Sequence, residues 1–394
     1  MVEAAVQQEV QLSIGRAGCN YDLTNDRIKE IDTNHYFKGK AVCYSLQRPI
    51  REMISNNATY YSGRKIISFN PDFNIQKQLS QTIETINNYL SSKYPGYVGR
   101  VDAVIPLRGK LDNAYVLYVS IHSSSRINPK YITDLETTIL NEAVRSDKEP
   151  CKIFGSNFSI EHLVFNAENV IRNGLPSSVA SLKDVTNLES LYNNPNTFSK
   201  YLVKLDNDTI SGMIKNSNFF VVRELVTGKI VSALVAEVMY TTLKDGKRIG
   251  WSEFSEAATS PELEPLTRQS KYRGMGFQTA LYKAATNFAN EKFRREVVEH
   301  KIDAFTIYTE ARSPWGPINK ASINAGFVPA VFSDKRINVF GLLGNHCIIR
   351  GPQDKRLSDI YDINNFKEDL NVLYVPEDDW RMGCRNMWNN LLGA

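Results

Sequence analysis

Three strand-like stretches joined by two short turns constrain the fold of this chain more than any other feature of its sequence. The turns are Thr227-Gly228-Lys229 and Asp245-Gly246, and the second dipeptide is a strong signal for a tight hairpin. Turns of this length place consecutive strands side by side in opposite directions. The predicted strands are Phe219–Glu224, Ile230–Met239 and Ile249–Ala257. We therefore expect an antiparallel meander here.

Helices and further strands surround the meander. Apolar residues at helical spacing predict a long helix from Gln278 to Val298, followed by a buried strand from Ile302 to Thr309. A short helix from Asn319 to Ala325 is ended by Gly326. The other predicted elements are helices at Lys183–Tyr192 and Phe198–Leu205 and strands at Phe327–Phe332, Ile337–Ile349 and Asp369–Val375. This order predicts an α/β fold with a mixed, mostly antiparallel sheet flanked by helices.

The amino-terminal part of the chain predicts a second, mixed α/β domain. Gln76–Lys93 and Ile132–Val144 carry apolar residues at helical spacing. Tyr97–Pro106 and Ala114–His122 alternate apolar and polar residues, which is typical of strands. The predicted division is an amino-terminal domain at 1–165, a second domain at 170–375 and a carboxy-terminal helical tail at 376–394. The residues of the first domain indicate no function for it.

Composition and charge exclude several classes of partner. The net charge of +4 arises from 47 basic and 43 acidic residues without a block of like charge, so we expect neither a nucleic-acid nor a membrane partner. The five cysteines form no CxxC pair, which indicates reduced thiols, and the five histidines lack metal-ligand spacing. No run of about 18 apolar residues occurs, and the amino terminus lacks the pattern of a secretion signal. We expect a cytoplasmic protein without a metal.

The residues that indicate chemistry lie in the loop between the third strand and the long helix. From Tyr272 to Thr279 the sequence reads YRGMGFQT. Two glycines let the backbone approach a ligand closely, and the start of the helix presents N–H groups and the positive end of its dipole. This combination favours a diphosphate. The alternative is a glycine-containing loop without a ligand, because the segment is neither a Walker loop nor a full GxGxxG.

Together with its neighbours, this loop resembles the GNAT superfamily of N-acetyltransferases. The neighbouring segments are Trp251–Thr259 (WSEFSEAAT), Thr306–Arg312 (TIYTEAR) and Asn319–Phe327 (NKASINAGF). The RxxGxG/A loop of that superfamily holds the coenzyme A pyrophosphate; here Arg273, Gly274 and Gly276 match it, and Gln278 replaces its last Gly or Ala. The resemblance covers roughly residues 175–375 and implies acetyl-CoA as co-substrate. The cofactor-binding residues that it implies are Ala258, Thr259, Arg273, Gly274, Met275, Gly276, Phe277, Gln278, Thr279 and Asn319.

Within that superfamily the chain is most similar to the β-lysine N-acetyltransferase branch. The segments that carry this narrower resemblance are Asn25–Ile28, Glu253–Thr259, Ala311-Arg312, Asn345–Ile349 and Glu368–Tyr374. Two insertions, Pro261–Lys271 and Gly351–Lys367, interrupt the matching segments. The narrower resemblance implies a lysine-like amine as the acceptor. A different small polyamine and a protein lysine stay open.

Transfer to an amine requires a group that takes its proton. A lysine-type amine has a pKa of about 10.4, so at neutral pH it is protonated and cannot attack a thioester. A carboxylate first holds the ammonium and then accepts its proton, directly or through water. Glu253 and Glu256 are the predicted catalytic and substrate-binding carboxylates, and Glu310 is a third candidate for substrate binding. Because Glu253 and Glu256 point to opposite faces of a regular strand, only a bulge would aim both at one cleft.

The leaving thiolate also requires a proton. The resemblance implies a tyrosine four residues before the Gly326-Phe327 pair, but Ser322 occupies that position. Tyr374 is the predicted catalytic substitute and Tyr308 is a second one, although tyrosines in such strands are mostly core residues. Asn319 is predicted to hydrogen-bond the cofactor arm, with capping of the helix as the alternative.

These observations predict an acetyl-CoA-dependent N-acetyltransferase in which a neutral primary amine attacks the thioester directly. Two other functions stay open. One is a non-catalytic acyl-CoA sensor or interaction protein with the same fold, which the missing tyrosine and Gln278 favour. The other is a protein-lysine acetyltransferase. For each candidate glutamate, the alternative to a catalytic role is a solvated or salt-bridged side chain.

Overall fold

The computed structural model describes residues 19–22, 27–30, 36–38, 46–55, 60–69, 72–94, 96–111, 113–123, 157–165, 177–194, 197, 205–312, 316–330, 332–334, 337–339, 342–343 and 371–377. Within these residues the chain forms two large sheets and six helices, and most neighbouring strands are antiparallel. The predicted α/β class, with a mixed and mostly antiparallel sheet flanked by helices, is therefore confirmed. The predicted helix Ile132–Val144, the carboxy-terminal tail beyond residue 377 and most of the predicted helix Phe198–Leu205 lie outside the described residues.

The first sheet is built from the amino-terminal part of the chain. Its strands are β1 (Cys19–Asp22), β2 (Arg27–Glu30), β3 (Tyr36–Lys38), β4 (Tyr60–Ser68), β5 (Tyr97–Pro106) and, after the two-residue strand β6 (Arg108–Gly109), β7 (Ala114–Ser123). They lie in the order β1-β2-β4-β7-β5, with β3 also paired to β4. The sheet therefore places β4 between β2 and β7, in its interior.

Two helices accompany the first sheet, α1 (Gln47–Ser55) and α2 (Ile75–Lys93). The side-chain oxygen of Asn74 accepts a hydrogen bond from the Lys77 N–H at 2.8 Å and caps the start of α2. The apolar residues whose spacing predicts this helix are buried, and α2 packs against β5. These residues are Leu79, Ile83, Ile86 and Leu90.

The second sheet contains the predicted meander. Its strands after β6 are β8 (Phe158–Val164), β9 (Ser177–Val179), β10 (Asn218–Glu224), β11 (Lys229–Thr242), β12 (Arg248–Thr259), β13 (Ala304–Arg312), β14 (Phe327–Pro329), β17 (Leu342–Leu343) and β18 (Asn371–Pro376). β15 (Phe332–Asp334) and β16 (Ile337–Val339) form a separate pair. The order is β14-β18-β13-β12-β11-β10-β8-β9, and β12 and β13 are parallel. β8 precedes the predicted boundary at residue 165 but pairs with β10, and the division into domains stays a prediction.

Helices cover the second sheet. The helices α3 (Leu182–Tyr192) and α4 (Asn207–Asn216) pack on one face, where their apolar residues share a core with Val235 of β11. The helices α5 (Phe277–Val298) and α6 (Gly316–Asn324) pack with the residues of the other face, where Tyr282 of α5 contacts Phe254 of β12. The helix α4 was not predicted. It begins after Asp206, whose side chain accepts a hydrogen bond from the Thr209 N–H at 2.8 Å.

A network of charged groups fastens α3 to the second sheet. Arg223 of β10 donates from Nε to both carboxylate oxygens of Glu161, at 3.0 and 3.1 Å, and from Nη1 to Asp184 of α3 at 2.7 Å. Nη1 also donates to the main-chain oxygen of Gly228 at 3.1 Å. Burial opposes ionisation of the two carboxyls, but hydrogen bonds from Arg223 and neighbouring serines lower the pKa of Glu161 and of Asp184. All the groups of this network are therefore charged at neutral pH.

The two sheets are joined through main-chain hydrogen bonds. β6 pairs with β13, so that Gly109 lies opposite Ala304 and Arg108 opposite Phe305. Gly109 has φ +121°, and a Cβ there would lie 2.6 Å from the Asp303 oxygen, so this close approach requires glycine. Arg108 also donates from Nη1 to Oδ1 of Asn290 in α5 at 2.8 Å. The strand β6, which lies between β5 and β7 in the chain, thus covers the amino-terminal end of β13.

Candidate active site

The parallel strands β12 and β13 separate part of the way along their length. They pair from Ile249 opposite Ala304 to Phe254 opposite Thr309. Beyond this point β13 pairs with β18, from Thr309 opposite Tyr374, whereas β12 continues beside β11 as far as Thr259. A gap therefore opens between residues 255–259 of β12 and residues 310–312 of β13.

A β-bulge lies in β12 where the two strands separate. Val235 of β11 pairs with Ser255 and Ala233 with Ala258, so Leu234 faces both Glu256 and Ala257. Glu256 has φ +48°, a left-handed value that is uncommon for residues other than glycine. A bulge was the condition for Glu253 and Glu256 to point into one cleft, and the observed bulge begins at Glu256 itself.

The bulge is held by α3, which packs on one face of the second sheet. The hydroxyl of Tyr192, the last residue of α3, donates to the main-chain oxygen of Glu256 at 2.9 Å. Burial and the nearby charge of Glu256 raise the pKa of Tyr192, so this phenol stays neutral and remains a donor. Glu253 lies on the same side of the sheet, because it is opposite Glu237 in register and Val235 packs under α3. Both candidate carboxylates are thus associated with the α3 face.

The loop predicted to hold a diphosphate forms the start of α5. Gly276 is the N-cap residue, with φ +80°, and Gly274 has φ +83°, values that favour glycine. No side chain caps this end of the helix, and Arg273 and Gly274 are exposed. The turn is therefore open to solvent, with the positive end of the α5 dipole behind it.

Gln278 turns its side chain away from this loop and into the sheet. Its Nε2 donates to the main-chain oxygens of Ala258 and Ala233, at 2.6 and 3.0 Å, and to Oγ of Ser232 at 2.9 Å. These acceptors surround the bulge of β12. The replacement of Gly or Ala by Gln278 consequently does not fill the turn, and it fixes the first turn of α5 against the end of the gap.

The other residues of the predicted cofactor site differ in exposure. Met275 is half-buried, whereas Phe277 and Thr279 are buried on the inner side of α5. The rings of Phe277 and Phe158 lie 5.0 Å apart, so Phe277 belongs to the core. Oγ1 of Thr259 lies 2.8 Å from Oγ of Ser232. The exposed residues of this segment are therefore Arg273 and Gly274.

Glu253 lies where the two sheets meet. Its Oε2 accepts a hydrogen bond from the Tyr308 hydroxyl at 2.5 Å and lies 3.5 Å from Nη2 of Arg64. The Glu253 side chain is 24% exposed. Sequence reasoning missed Arg64, because the two partners are 189 residues apart and no local motif links them. The first sheet therefore contributes a charged group to the predicted site.

Aromatic rings surround the Arg64 guanidinium. Its central carbon lies 5.2 Å from the ring centre of Tyr118, 5.1 Å from that of Tyr308 and 5.9 Å from that of Trp251, distances at which a cation is attracted to a ring. Burial opposes the charge, but the neighbouring tyrosines and glutamates raise the pKa of Arg64. Burial raises the pKa of Tyr308 as well, and Arg64 opposes that shift. The pair is therefore a charged guanidinium beside a neutral phenol.

Two more carboxylates lie on this face of the sheet. Glu310 is two residues beyond Tyr308 on β13, and its charge contributes to the raised pKa of Arg64. Glu237 lies opposite Glu253 and accepts from the Ser255 hydroxyl at 3.1 Å. Two glutamates, Glu253 and Glu310, therefore act on one arginine, and this cluster carries excess negative charge.

The predicted proton donors lie in the core. The Tyr374 hydroxyl donates to Oδ1 of Asn319 at 2.7 Å, and both side chains are fully buried. Burial and the nearby Tyr282 raise the pKa of Tyr374. Ser322 is also buried, and its hydroxyl donates to the Ile318 oxygen at 3.1 Å. The structure brings Tyr374 and Asn319 together, and their catalytic and cofactor roles stay predictions.

Tyr282 of α5 is a buried phenol that was not among the predicted proton donors. Its hydroxyl lies 3.3 Å from Oγ1 of Thr309, and burial raises its pKa while hydrogen bonds with Thr309 and Ser322 oppose that shift. A phenol therefore lies beside Ser322 even though that position of α6 has no tyrosine. Tyr282 gave no signal in the sequence because it occupies an apolar position of a long helix.

The described part of the chain shows neither a metal cluster nor a membrane-spanning helix. Within the described ranges, no three or more His, Cys, Asp or Glu side chains lie together in a way that could hold a metal ion. Among the helices of the described ranges, none is both long and apolar enough to cross a membrane. The expected absence of a metal and the cytoplasmic location stay predictions.

Comparison with known proteins finds similarity only at the level of structure. No family model matches the sequence, and no curated protein matches it. Among solved structures, the chain is similar to an acetyltransferase of Trypanosoma brucei, with 19% identity over 29% of this chain and 74% of that chain and a TM-score of 0.22. It is also similar to a GNAT family acetyltransferase of Bacillus anthracis (10% identity, 50% and 92% covered, TM-score 0.29) and to the ribosomal-protein-S5-alanine acetyltransferase of Vibrio fischeri (11%, 52% and 93%, 0.31). At these values the similarity bears on neither activity nor acceptor.

Proposed function

We propose that this protein is an acetyl-CoA-dependent N-acetyltransferase that acts on a primary amine. One observation carries the proposal: the exposed start of α5, with Gly274 and Gly276 in left-handed conformation and no side-chain cap, lies beside the gap between β12 and β13. Gln278 supports the position of the helix start beside the gap, because its side chain joins the first turn of α5 to Ala258 at the bulge. A helix start of this kind favours a phosphate group.

The residues of the loop fit a diphosphate. A Cβ at Gly274 would meet no atom within 4 Å, so the space around this part of the turn is open. Arg273 is exposed and adds positive charge to that of the helix dipole. Arg273 to Thr279 would hold the diphosphate, and acetyl-CoA would supply the acetyl group as a thioester. The assignment of these residues rests on the loop geometry and on the resemblance of the sequence.

The carboxylates of the α3 face would bind the ammonium group of the acceptor and accept its proton. Excess negative charge around Glu253 and Glu310 attracts an ammonium group and holds it near the gap. The ammonium must lose a proton before its nitrogen can attack, and Glu253 or Glu256 would accept that proton directly or through water. A lysine-like amine is the acceptor that we propose within this class. A lysine on a protein offers the same chemical group and is the alternative acceptor.

A non-catalytic acyl-CoA sensor is the second candidate, and one observation favours it. The protons of the two tyrosines proposed as donors are already engaged, that of Tyr308 with Glu253 and that of Tyr374 with Asn319. Burial raises the pKa of both tyrosines, so they hold these protons at neutral pH. A sensor needs the phosphate loop but no proton donor for a leaving thiolate.

Two measurements separate the candidates. We expect acetyl-CoA to raise the melting temperature, and release of free thiol to follow addition of an amine from a panel that includes lysine, β-lysine and polyamines. Stabilisation without thiol release from any amine supports the sensor. No stabilisation by any acyl-CoA contradicts both candidates. Glu253→Gln and Glu256→Gln, compared with the parent protein, identify the carboxylate that accepts the proton.

A matched pair of glycine variants tests the loop. Gly274→Asp places a carboxylate where we propose the diphosphate binds, and the expected result is a loss of acetyl-CoA affinity on the order of tenfold or more. Gly246→Asp is the control, because Gly246 also has positive φ, +86°, and open space around its Cβ position but lies in the distant β11–β12 hairpin. Equal affinities of the two variants would contradict the assignment.

A further inference from the structure

The two carboxylate oxygens of Glu253 have different surroundings. Oε2 accepts from Tyr308 at 2.5 Å and lies 3.5 Å from Arg64. For Oε1, the described residues provide no hydrogen bond or ion pair, and the side chain is 24% exposed. One oxygen is therefore held by two donors, and the other is left to interact with solvent or a ligand.

Arg64 is held rigidly enough to orient this carboxylate. It lies on β4, in the interior of the first sheet, opposite Tyr118 of β7. The rings of Tyr118 and Tyr308 and that of Trp251 lie within 6 Å of its guanidinium carbon, and each ring limits the positions that the guanidinium can take. Its raised pKa keeps it charged across the range in which the protein would work. The charge beside Oε2 is therefore fixed in both place and sign.

We infer that Arg64 is a positioning residue of the acceptor site, which together with Tyr308 holds Oε2 of Glu253 so that Oε1 receives the ammonium group of the acceptor. The inference rests on the proposed function. It gives the amino-terminal sheet a role in that function, since the sheet supplies Arg64 and Tyr118. Arg64 acts through Glu253, and no bond is formed or broken by Arg64 itself.

A kinetic comparison of two arginine variants tests this role. With acetyl-CoA saturating and the amine of the panel that is turned over fastest, Arg64→Gln is expected to raise the KM for the amine about tenfold or more. The value of kcat should change less, because the variant loosens the carboxylate of Glu253 that binds the ammonium group and leaves the thioester site unchanged. Arg64→Lys retains the charge and is expected to restore part of the affinity.

Arg108→Gln is the matched control. Arg108 also lies in the amino-terminal part of the chain and binds a residue that packs with the second sheet, Asn290 of α5. It does not contact Glu253. We expect its KM to stay within about twofold of that of the parent protein, since the lost contact is outside the site. An equal KM in Arg64→Gln and Arg108→Gln would overturn the inference. Tyr308→Phe, which removes the other donor to Oε2, should raise the KM in the same direction.

A double-mutant cycle gives a readout that requires no activity. Arg64→Gln, Glu253→Gln and the double variant are unfolded by denaturant, and coupling between the two sites is expected to make the double variant less destabilised than the sum of the single ones. Absence of coupling overturns the positioning role even in an active enzyme. Coupling in a protein that acetylates no amine supports the Arg64–Glu253 contact and contradicts the proposed transferase. Failure of the positioning role of Arg64 and failure of the proposed transferase activity are thus distinguishable.

Discussion

Arg223 and Arg64 both pair with glutamate beside the second sheet, and their surroundings differ. Arg223 directs its donors to Glu161, Asp184 and a main-chain oxygen at 2.7 to 3.1 Å. Arg64 has one carboxylate contact, at 3.5 Å, and is otherwise surrounded by aromatic rings. The donors of Arg223 all meet acceptors at short distance, and such charge-assisted hydrogen bonds hold elements together strongly. Arg64 makes one long contact to a half-buried carboxylate, so we expect it to contribute less to stability. The two arginines are thus expected to differ in what their loss costs the protein.

The largest expected effect is on stability and comes from the satisfied arginine. Arg223→Met should lower the free energy of unfolding by about 3–5 kcal/mol, because it leaves Glu161 and Asp184 charged and without their partner. Arg64→Met should lower it by only about 1 kcal/mol, since Glu253 keeps Tyr308 and contact with water. Denaturant unfolding at pH 7 measures both values. Equal losses would remove the distinction between the two arginines.

A buried histidine, His162, also makes the stability of the protein depend on pH, and it acts at a higher pH than the carboxylates of the Arg223 network. His162 is 1% exposed and stacks on Phe220, and burial lowers its pKa to about 4. The unfolded chain binds a proton at about pH 6.5, so stability falls as the pH drops below that value. From pH 7 to pH 5 the free energy of unfolding should fall by about 2 kcal/mol. His162→Phe should abolish this decrease, and an unchanged slope would contradict it.

Below pH 5 the network itself should lose its contribution. Because the pKa of Glu161 is lowered, its contribution is complete above the ordinary value of about 4.3 and is lost as the pH falls through the folded-state value. Glu161→Gln should be less stable than the parent protein by about 1–2 kcal/mol at pH 7. The difference should shrink as the pH falls from 5 to 2. A difference that is constant with pH would indicate that the charge of Glu161 has no part in it.

The smallest effect is expected for an exposed ion pair. Lys229 pairs with Glu262, and the two side chains are 44% and 41% exposed. Lys229→Met should change the free energy of unfolding by less than about 1 kcal/mol, and added salt should reduce the change further. A loss as large as that of Arg223→Met would show that burial does not decide the value of these pairs.

Much of the second sheet could be predicted from the sequence because local residues determine it. The turn glycines place β10, β11 and β12 within a few residues of their bounds, and α5 begins one residue before the predicted Gln278. The left-handed turn before α5 could be predicted for the same reason, since Gly274 and Gly276 adopt conformations that favour glycine. Local conformation can therefore be predicted from the sequence wherever a turn requires one residue type, such as glycine.

The rest depends on contacts between distant residues. Arg64 meets Glu253 only after two sheets have formed and packed, and neither residue has a neighbour in the sequence that indicates the other. Glu256 adopts a left-handed conformation that its residue type does not predict. Tyr374 and Asn319 are paired across β18 and α6, 55 residues apart. Candidate groups could thus be chosen from the sequence, but not their partners.

The pairing of β6 with β13 has a consequence for expression of fragments. Main-chain bonds from Val104 to the Ala330 oxygen and from Lys110 to the Asp303 oxygen accompany that pairing. A shortened protein that starts at Phe158 would present these oxygens, and the edge of β13 near Ala304, to solvent. Uncovered strand edges recruit other chains, so self-association is the expected fate of such a fragment. Co-expression with the missing amino-terminal piece should restore a soluble 1:1 assembly.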